Sequence, residues 1–370
     1  MLRMMRMSDR TVVPPYAPSL TDERETLPQE ARALIVLNPF AGQAAALRQN
    51  VAAARDVWLA HGWTVDVETT RLAGDGARLA REAALHGYDV VVAAGGDGTI
   101  NEVVNGLAGT RAALAALPVG TVNVWVRELG LPLEPRAAAE ALLQARRRRI
   151  DLGRAGDRYF LLMAGIGFDA AVVNEVRSEE KRRLGALAYV VRAFDLALRY
   201  RGRRARITLD GRVIRGRVLL VVIGNSQLYG GVFKITARAC IDDGLLDVCI
   251  IKGDSLAEAP LRLLSILRQR YNLDPRIEYH RARTIRIATR GALPVQVDGD
   301  QSGFTPMTFT VAPGALYALL PHTPPADDLL RAAPPRRRRV WQRMIGWMVR
   351  RAVLPDEAGR RGAPAASHQV

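Results

Sequence analysis

Through its first half the chain alternates short, almost wholly apolar runs with longer stretches of helical periodicity, and near Ile150 that texture changes. Ala33 to Leu37 reads as a buried strand, Asn38-Pro39-Phe40-Ala41-Gly42 as a turn, and the Ala-rich segment to about His61 as a helix. Trp63 to Thr69 alternates as a strand does, Gly74 to Leu85 is helical, and Tyr88 to Ala94 and Ile100 to Leu107 repeat the pair. Leu114 to Pro118 is a further strand, and Pro135 to Arg149 reads as a helix whose four terminal arginines complement its dipole. This alternation predicts an α/β domain: a doubly wound, mostly parallel sheet that binds ligands at the carboxyl ends of its strands.

After Ile150 the runs are short and rich in β-branched residues: Tyr159 to Ala164, Arg206 to Leu209, Val218 to Ile223, Leu246 to Ile251, Thr284 to Ala288, Val295 to Val297 and Met307 to Val311. Turn pairs such as Asp210-Gly211 and Asp243-Gly244 separate them, which predicts a mainly antiparallel second domain. A long helical insertion at about Glu179 to Tyr200 and a second helix at Leu256 to Arg268 interrupt it. Residues 1 to about 30 carry prolines and mixed charges without periodicity, as a mobile arm would.

One strand-to-helix junction carries chemistry. In the run from Val90 to Glu102, Gly95, Gly96 and Gly98 let the backbone approach a polyphosphate, and the helix that follows aims free N–H groups at it. A carboxylate among phosphates is repelled unless Mg²⁺ lies between them, so Asp97 points to a metal-bridged nucleotide. The plain alternative is an ordinary turn.

Charge changes this picture little. Lysine and arginine number 53 against 37 acidic residues, a net +16 that by itself suits nucleic acid or an anionic membrane. Lysine, however, occurs only at Lys181, Lys234 and Lys252, and an arginine- and alanine-rich skew can arise from coding bias. No recognition helix or aromatic RNA-binding motif accompanies the charge, so no nucleic acid is expected as partner. Only Cys240 and Cys249 are present, which argues for a reducing, cytoplasmic compartment. No secretory signal and no membrane-spanning run is evident.

Further clusters follow in order. Val119-Gly120-Thr121-Val122-Asn123 offers a second glycine turn, and Ala164-Gly165-Ile166-Gly167-Phe168-Asp169 a third. Asn225-Ser226-Gln227-Leu228-Tyr229-Gly230-Gly231 leads into Ile241-Asp242-Asp243-Gly244-Leu245-Leu246-Asp247. Val297-Asp298-Gly299-Asp300 sets two carboxylates at i and i+2, which share a face if the chain is extended; a surface hairpin is the alternative. Asp243-Gly244 likewise reads as a hairpin turn on its own.

In their order and spacing these clusters resemble the diacylglycerol kinase catalytic family, the bacterial lipid kinases related to diacylglycerol, sphingosine and ceramide kinases, from about Ala33 to Leu320. The resemblance implies a phosphofructokinase-like nucleotide-binding domain at 31–152, a β-sandwich lipid-substrate domain at 153–315, and a segment at 316–330 that returns to the first domain. It implies ATP contacts at Thr70, at Gly96, Asp97, Gly98, Thr99, Ile100, Asn101 and Glu102, and at Thr121, while Asn38 and Pro39 match the family's first turn. A structural Mg²⁺ site, built partly from backbone carbonyls, falls on Cys240, Asp243 and Leu245. The catalytic acidic position falls on Asp300, with Asp298 beside it. Two departures bear on substrate: Val124 stands where relatives carry Asp, and Val232 where a third glycine often follows.

The expected activity is therefore ATP- and Mg²⁺-dependent phosphorylation of a lipid alcohol such as diacylglycerol. No Walker A sequence is present, so the glycine loop and helix dipole hold the phosphates. Asp97 serves the Mg²⁺-phosphate geometry, and Asp300 acts as general base with Asp298 supporting it or sharing the role. Other long-chain alcohols including sphingoid bases, NAD kinase activity and a catalytically silent lipid-binding relative are the alternatives. At 331–370, arginines 336 to 339 precede Trp341, Met344, Ile345, Met348 and Val349 at helical spacing, a basic amphipathic helix suited to the anionic inner face of a membrane. A helix packed on the protein itself and a disordered tail are the other readings. A homodimer is compatible with this scheme.

Overall fold

The structure is a computed structural model that describes residues 27–42, 44–168, 170, 200–231, 233–255, 274–321 and 329–330. The expected tail at 331–370, the helix at 256–268, nearly all of the arm at 1–30 and of the insertion at 179–200, Asp169 and Val232 lie outside the described residues.

The first domain runs β1 (Arg32–Leu37), α1 (Ala44–Ala60), β2 (Thr64–Thr69), α2 (Asp75–Leu85), β3 (Val90–Gly95), α3 (Asp97–Leu107), β4 (Ala113–Pro118), α4 (Val124–Leu129) and α5 (Pro135–Leu143). All residues of β3 and β4 are buried, as parallel strands covered on both faces must be. The strands pair in parallel in the order β4, β3, β1, β2, so the direction of winding reverses between β1 and β3. Helix α1 packs with α5 and α2 with α3. Local chemistry starts α5: the Glu134 carboxylate accepts from Arg136 N at 3.0 Å and Ala137 N at 2.6 Å, and Pro135 opens the first turn.

The second domain contains β5 (Arg146–Ala155), β6 (Arg158–Phe160), β7 (Met163–Gly167), β8 (Arg203–Leu209), β9 (Arg212–Gly224), the short pair β10 (Leu228–Tyr229) and β11 (Phe233–Lys234), β12 (Leu246–Lys252), β13 (Ile277–Ala282), β14 (Thr284–Thr289), β15 (Pro294–Val297), β16 (Asp300–Phe304) and β17 (Met307–Leu320). Strand β9 pairs with β8 along its first half and lies between β7 and β12 along its second. Phe160, Ile207, Val221, Ile250, Ile287, Val295 and Phe309 form the core of this β-sandwich. Asp210 and Gly211, with φ of 44° and 91°, make the left-handed two-residue turn between β8 and β9.

Strands β5 and β17 join the two domains. Met307 to Thr310 pair with β14, Tyr317 and Ala318 run parallel to β4, and β17 pairs antiparallel with β5 from Phe309 to Leu320 around an irregularity at Ala312 to Leu316. Here the structure corrects one expectation: α5 ends at Leu143, and Arg146 to Arg149 lie in β5 rather than at a helix end. The reason is tertiary. Opposite β17, Arg147 and Arg149 project to one face, where their guanidinium carbons lie 4.1 and 4.9 Å from the Tyr317 ring centroid. A second correction concerns Ala164 to Gly167, which form β7 rather than a turn; the chain bends instead at Leu161-Leu162.

Candidate active site

The phosphate loop is built by close backbone approach. Helix α3 begins at Asp97 with Gly96 as N-cap, and its first ladder bond is Ile100 N to Gly96 O at 3.1 Å, so the preceding N–H groups have no partner within the helix. A Cβ on Gly120 would lie 2.6 Å from Gly96 Cα, so the loop ending β4 can approach the loop ending β3 this closely only with glycine at position 120. The loop after β1 closes the third side. Asn38 Oδ1 accepts from Phe40 N at 3.0 Å, and Asn38 Nδ2 donates to Thr99 Oγ1 at 3.0 Å. Thr70 follows β2 nearby, its N–H donating to Leu37 O at 2.9 Å, and Thr121 is exposed on the β4 loop. Asn38, Thr70, Gly96 to Thr99 and Thr121 thus gather at the carboxyl ends of β1 to β4, beside the reversal in strand order.

Asp97 is partly buried and turned toward α4: its Oδ1 accepts from Val124 N at 2.8 Å, where Val124 is the first residue of that helix. Burial pushes its carboxyl up, opposed by the N–H groups of Val124 and Trp125 and by the Arg127 charge. Asn123, at φ 55°, makes this possible by closing the turn, with Oδ1 on Gly120 N and Nδ2 on Gly120 O, both at 2.9 Å. Ile100 and Glu102 play other parts. The Ile100 side chain belongs to the core, and the Glu102 carboxylate accepts from Gly74 N and Gly76 N, each at 2.9 Å, tying α3 to the start of α2.

Asn101 reaches across to the second domain. Its Nδ2 donates to Asp298 Oδ2 at 2.8 Å, and its Oδ1 accepts from Arg158 Nε at 3.1 Å and Nη2 at 2.7 Å. The same Nη2 lies 2.7 Å from Asp300 Oδ2, so Arg158 bridges α3 to β16. Arg158 escaped sequence reasoning, since a lone arginine at the start of a short strand carries no pattern.

The two aspartates of the β15–β16 hairpin do not share a face. Asp298 and Gly299 have φ of 47° and 89°, a left-handed two-residue turn that separates their neighbours' directions. Asp298 accepts from Leu161 N, Leu162 N and Met163 N at 2.8 to 3.0 Å as well as from Asn101. Four donors fill the lone pairs of that carboxylate, and burial nevertheless pushes its carboxyl up. Asp300 is about half exposed and open to a ligand.

Asp243 Oδ2 is in contact with the Arg281 guanidinium, and its Oδ1 accepts from Leu245 N at 3.0 Å. Cys240 Sγ bonds Asp242 Oδ1 at 3.1 Å, and burial pushes the thiol up, holding it protonated. Among the described residues no three His, Cys, Asp or Glu side chains gather as a metal site. The Arg281 guanidinium pairs with the one carboxylate of the three, and a thiol is a poor ligand for so hard an ion, so Cys240 and Leu245 could serve a Mg²⁺ only through the backbone carbonyls that the resemblance implies.

The remaining clusters act as latches. Asn225 Nδ2 donates to Asp151 O and Leu161 O, each at 2.9 Å, and buried Glu128 on α4 accepts from Gln227 N at 3.1 Å and Leu228 N at 2.7 Å. Asp151, buried in β5, takes Gly244 N at 2.6 Å and Gly314 N at 2.7 Å. Burial pushes Glu128 up to about 7 and Asp151 up to about 6. An aspartate inside the apolar run Ile150 to Leu152 was the available signal for that anchor.

Residues 32–155 match the family model described as the diacylglycerol kinase catalytic domain, and residues 163–320 the one described as the YegS C-terminal NAD kinase beta sandwich-like domain. The chain is 32% identical over 293 residues to a diacylglycerol kinase of Bacillus subtilis, covering 78% of this chain and 96% of that one. It is 35% identical over 295 residues to a Pseudomonas putida protein named "Probable lipid kinase YegS-like", covering 79% and 96%. A crystal structure of a diacylglycerol kinase from Bacillus anthracis superposes with a TM-score of 0.63 at 27% identity, covering 79% of this chain and 97% of that one.

Proposed function

Because this chain belongs to the diacylglycerol kinase catalytic family of lipid kinases, we propose that it transfers the γ-phosphoryl group of ATP to the hydroxyl of diacylglycerol or a similar lipid alcohol. One observation carries this reading: Arg158 joins Asn101, two residues past Thr99 of the phosphate loop, to the half-exposed Asp300, so phosphate donors and an accessible base stand on either side of one short bridge.

In this scheme the N–H groups opening α3 and the Thr99 hydroxyl, held by Asn38, bind the polyphosphate, with Thr70 and Thr121 on its flanks. Asp97 would hold the nucleotide's Mg²⁺ together with the phosphates, an arrangement one carboxylate suffices for. When bound, the ion supplies charge neutralisation on the transferring group. Asp300 accepts the proton of the attacking alcohol, and Arg158 positions that carboxylate. Exposed apolar side chains on the same three loops, Phe40, Leu72 and Val122, offer surface for a base or an acyl chain. No helix among the described residues is long and apolar enough to cross a membrane.

The test is incubation of the purified chain with γ-labelled ATP and Mg²⁺ against diacylglycerol, a sphingoid base and NAD. Labelled phosphatidic acid is expected. Labelled NADP, or no label in any product, overturns the reading, and a labelled sphingoid phosphate alone moves the substrate class.

A further inference from the structure

One face of the second domain carries charge that the reaction does not use. Arg204 and Arg206 on β8 stand directly opposite Arg217 and Arg215 on β9, and on the other side β14 brings Arg286 opposite Thr208, with Arg290 just beyond its end bonded through its N–H to Arg204 O. All six arginines are exposed. Like charges directly opposite on neighbouring strands repel and lower sheet stability. Among the described residues only Arg217 has a carboxylate partner, Asp254 at 3.1 Å, and that pair is solvent-exposed. Five of them, all but Arg286, line with Ala288 a shallow depression of about 710 Å³.

Such a face is built to meet negative charge. The side chains stand on one surface of three adjacent strands, spanning about 10 Å across the sheet and about 13 Å along it from Arg286 to Arg290. Its uncharged members are Thr208, Val213 and Ala288, so no aromatic ring is there to stack on a nucleotide base. A guanidinium pairs well with phosphate oxygens, and several in a plane fit a layer of head groups better than one small anion.

We propose that the arginine face of β8, β9 and β14 docks the protein on an anionic bilayer through lipid head-group phosphates. The inference deepens the lipid-kinase reading and rests on it for its purpose, since a membrane-borne alcohol must be reached at the bilayer. It is independent of the tail at 331–370, which lies outside the described residues.

The experiment is co-sedimentation of the full-length R204Q/R206Q/R215Q/R290Q chain with vesicles of phosphatidylglycerol and phosphatidylcholine, beside the unaltered chain and the four-lysine counterpart. Each arginine near such a surface is worth about fivefold in partitioning, so the glutamine chain should bind at least about tenfold more weakly while the lysine chain keeps most of its binding. Its unfolding temperature should be unchanged or higher, because two repelling pairs are gone. Should four substitutions prevent folding, R206Q/R290Q provides the same comparison with a smaller loss. Vesicle binding unchanged in a folded glutamine variant overturns the proposal, as does a loss of duplex DNA binding with vesicle binding intact. Phosphorylation of a soluble short-chain diacylglycerol should be unaffected. If the unaltered chain phosphorylates no lipid at all, the kinase reading fails while the vesicle measurement still decides the docking surface.

Discussion

The two sides of the candidate site are made by different means. On the first-domain side the ligand-facing groups are backbone N–H groups at a helix start, exposed where glycines let β3 and β4 loops touch, with Asn38 and Thr99 bonded across a short gap. On the second-domain side they are side chains from distant segments, Arg158, Asp298 and Asp300, met by Asn101 reaching across from α3. Backbone geometry makes the first side resistant to substitution of any one polar side chain. The second depends on each member of a small network, and its two aspartates, two residues apart, differ in setting: Asp298 is enclosed by N–H donors and Asp300 is half exposed.

The sharpest way to break that distinction is to compare the aspartates. D300N should lower kcat by about a hundredfold or more, the range for loss of a general base. Its unfolding free energy should change by less than about 1 kcal/mol, because the pair with Arg158 is exposed and screened. D298N should do the reverse in kind, costing about 2 kcal/mol or more of stability by turning an amide toward three backbone N–H donors. Denaturant unfolding beside steady-state kinetics reads both. Equal stability of the two variants would erase the division of roles.

On the first side, G120A puts a methyl group against Gly96 Cα, and the loop must move. About tenfold weaker nucleotide binding by calorimetry, with a kcat much less affected, is expected if these loops hold phosphate by backbone approach. A pH series gives the smallest effect. Burial raises Glu128 from 4.5 to about 7, and Asp151 and Asp247 from 3.8 to about 6. Groups whose folded pKa is raised bind protons more tightly in the native state, so their stabilisation is complete below the unfolded values and disappears as pH rises through the folded ones. The unfolding temperature should therefore fall by a few degrees between pH 5 and pH 8, and E128Q should flatten the slope above pH 6; a midpoint that rises over that interval contradicts the assignment.

Legibility in the sequence followed the same division. The parallel strands, most helix positions, the glycine loop and the antiparallel texture after Ile150 all rest on interactions within a few residues, and the structure has them close to where periodicity and turn residues put them. Arg146 to Arg149 were misread because four arginines after a helix suit its dipole, whereas the deciding partner, β17, lies about 170 residues further along the chain. Asp298 and Asp300 looked alike for a similar reason. Spacing locates a pair of carboxylates, but only the hairpin turn and the N–H groups of Leu161 to Met163 say which one is enclosed.

By itself, then, the sequence determined the α/β and β-rich halves, the resemblance to a lipid-kinase family, and the loop at Gly95 to Thr99, because strand burial, helix starts and glycine turns are local properties. Tertiary structure alone decided that Arg158 reaches both Asn101 and Asp300, that three backbone N–H groups enclose Asp298, that Arg281 sits on Asp243, and that six arginines share one face. Each of those outcomes depends on strand register and on side chains from segments far apart in the chain meeting within a few ångströms, which no window along the chain contains.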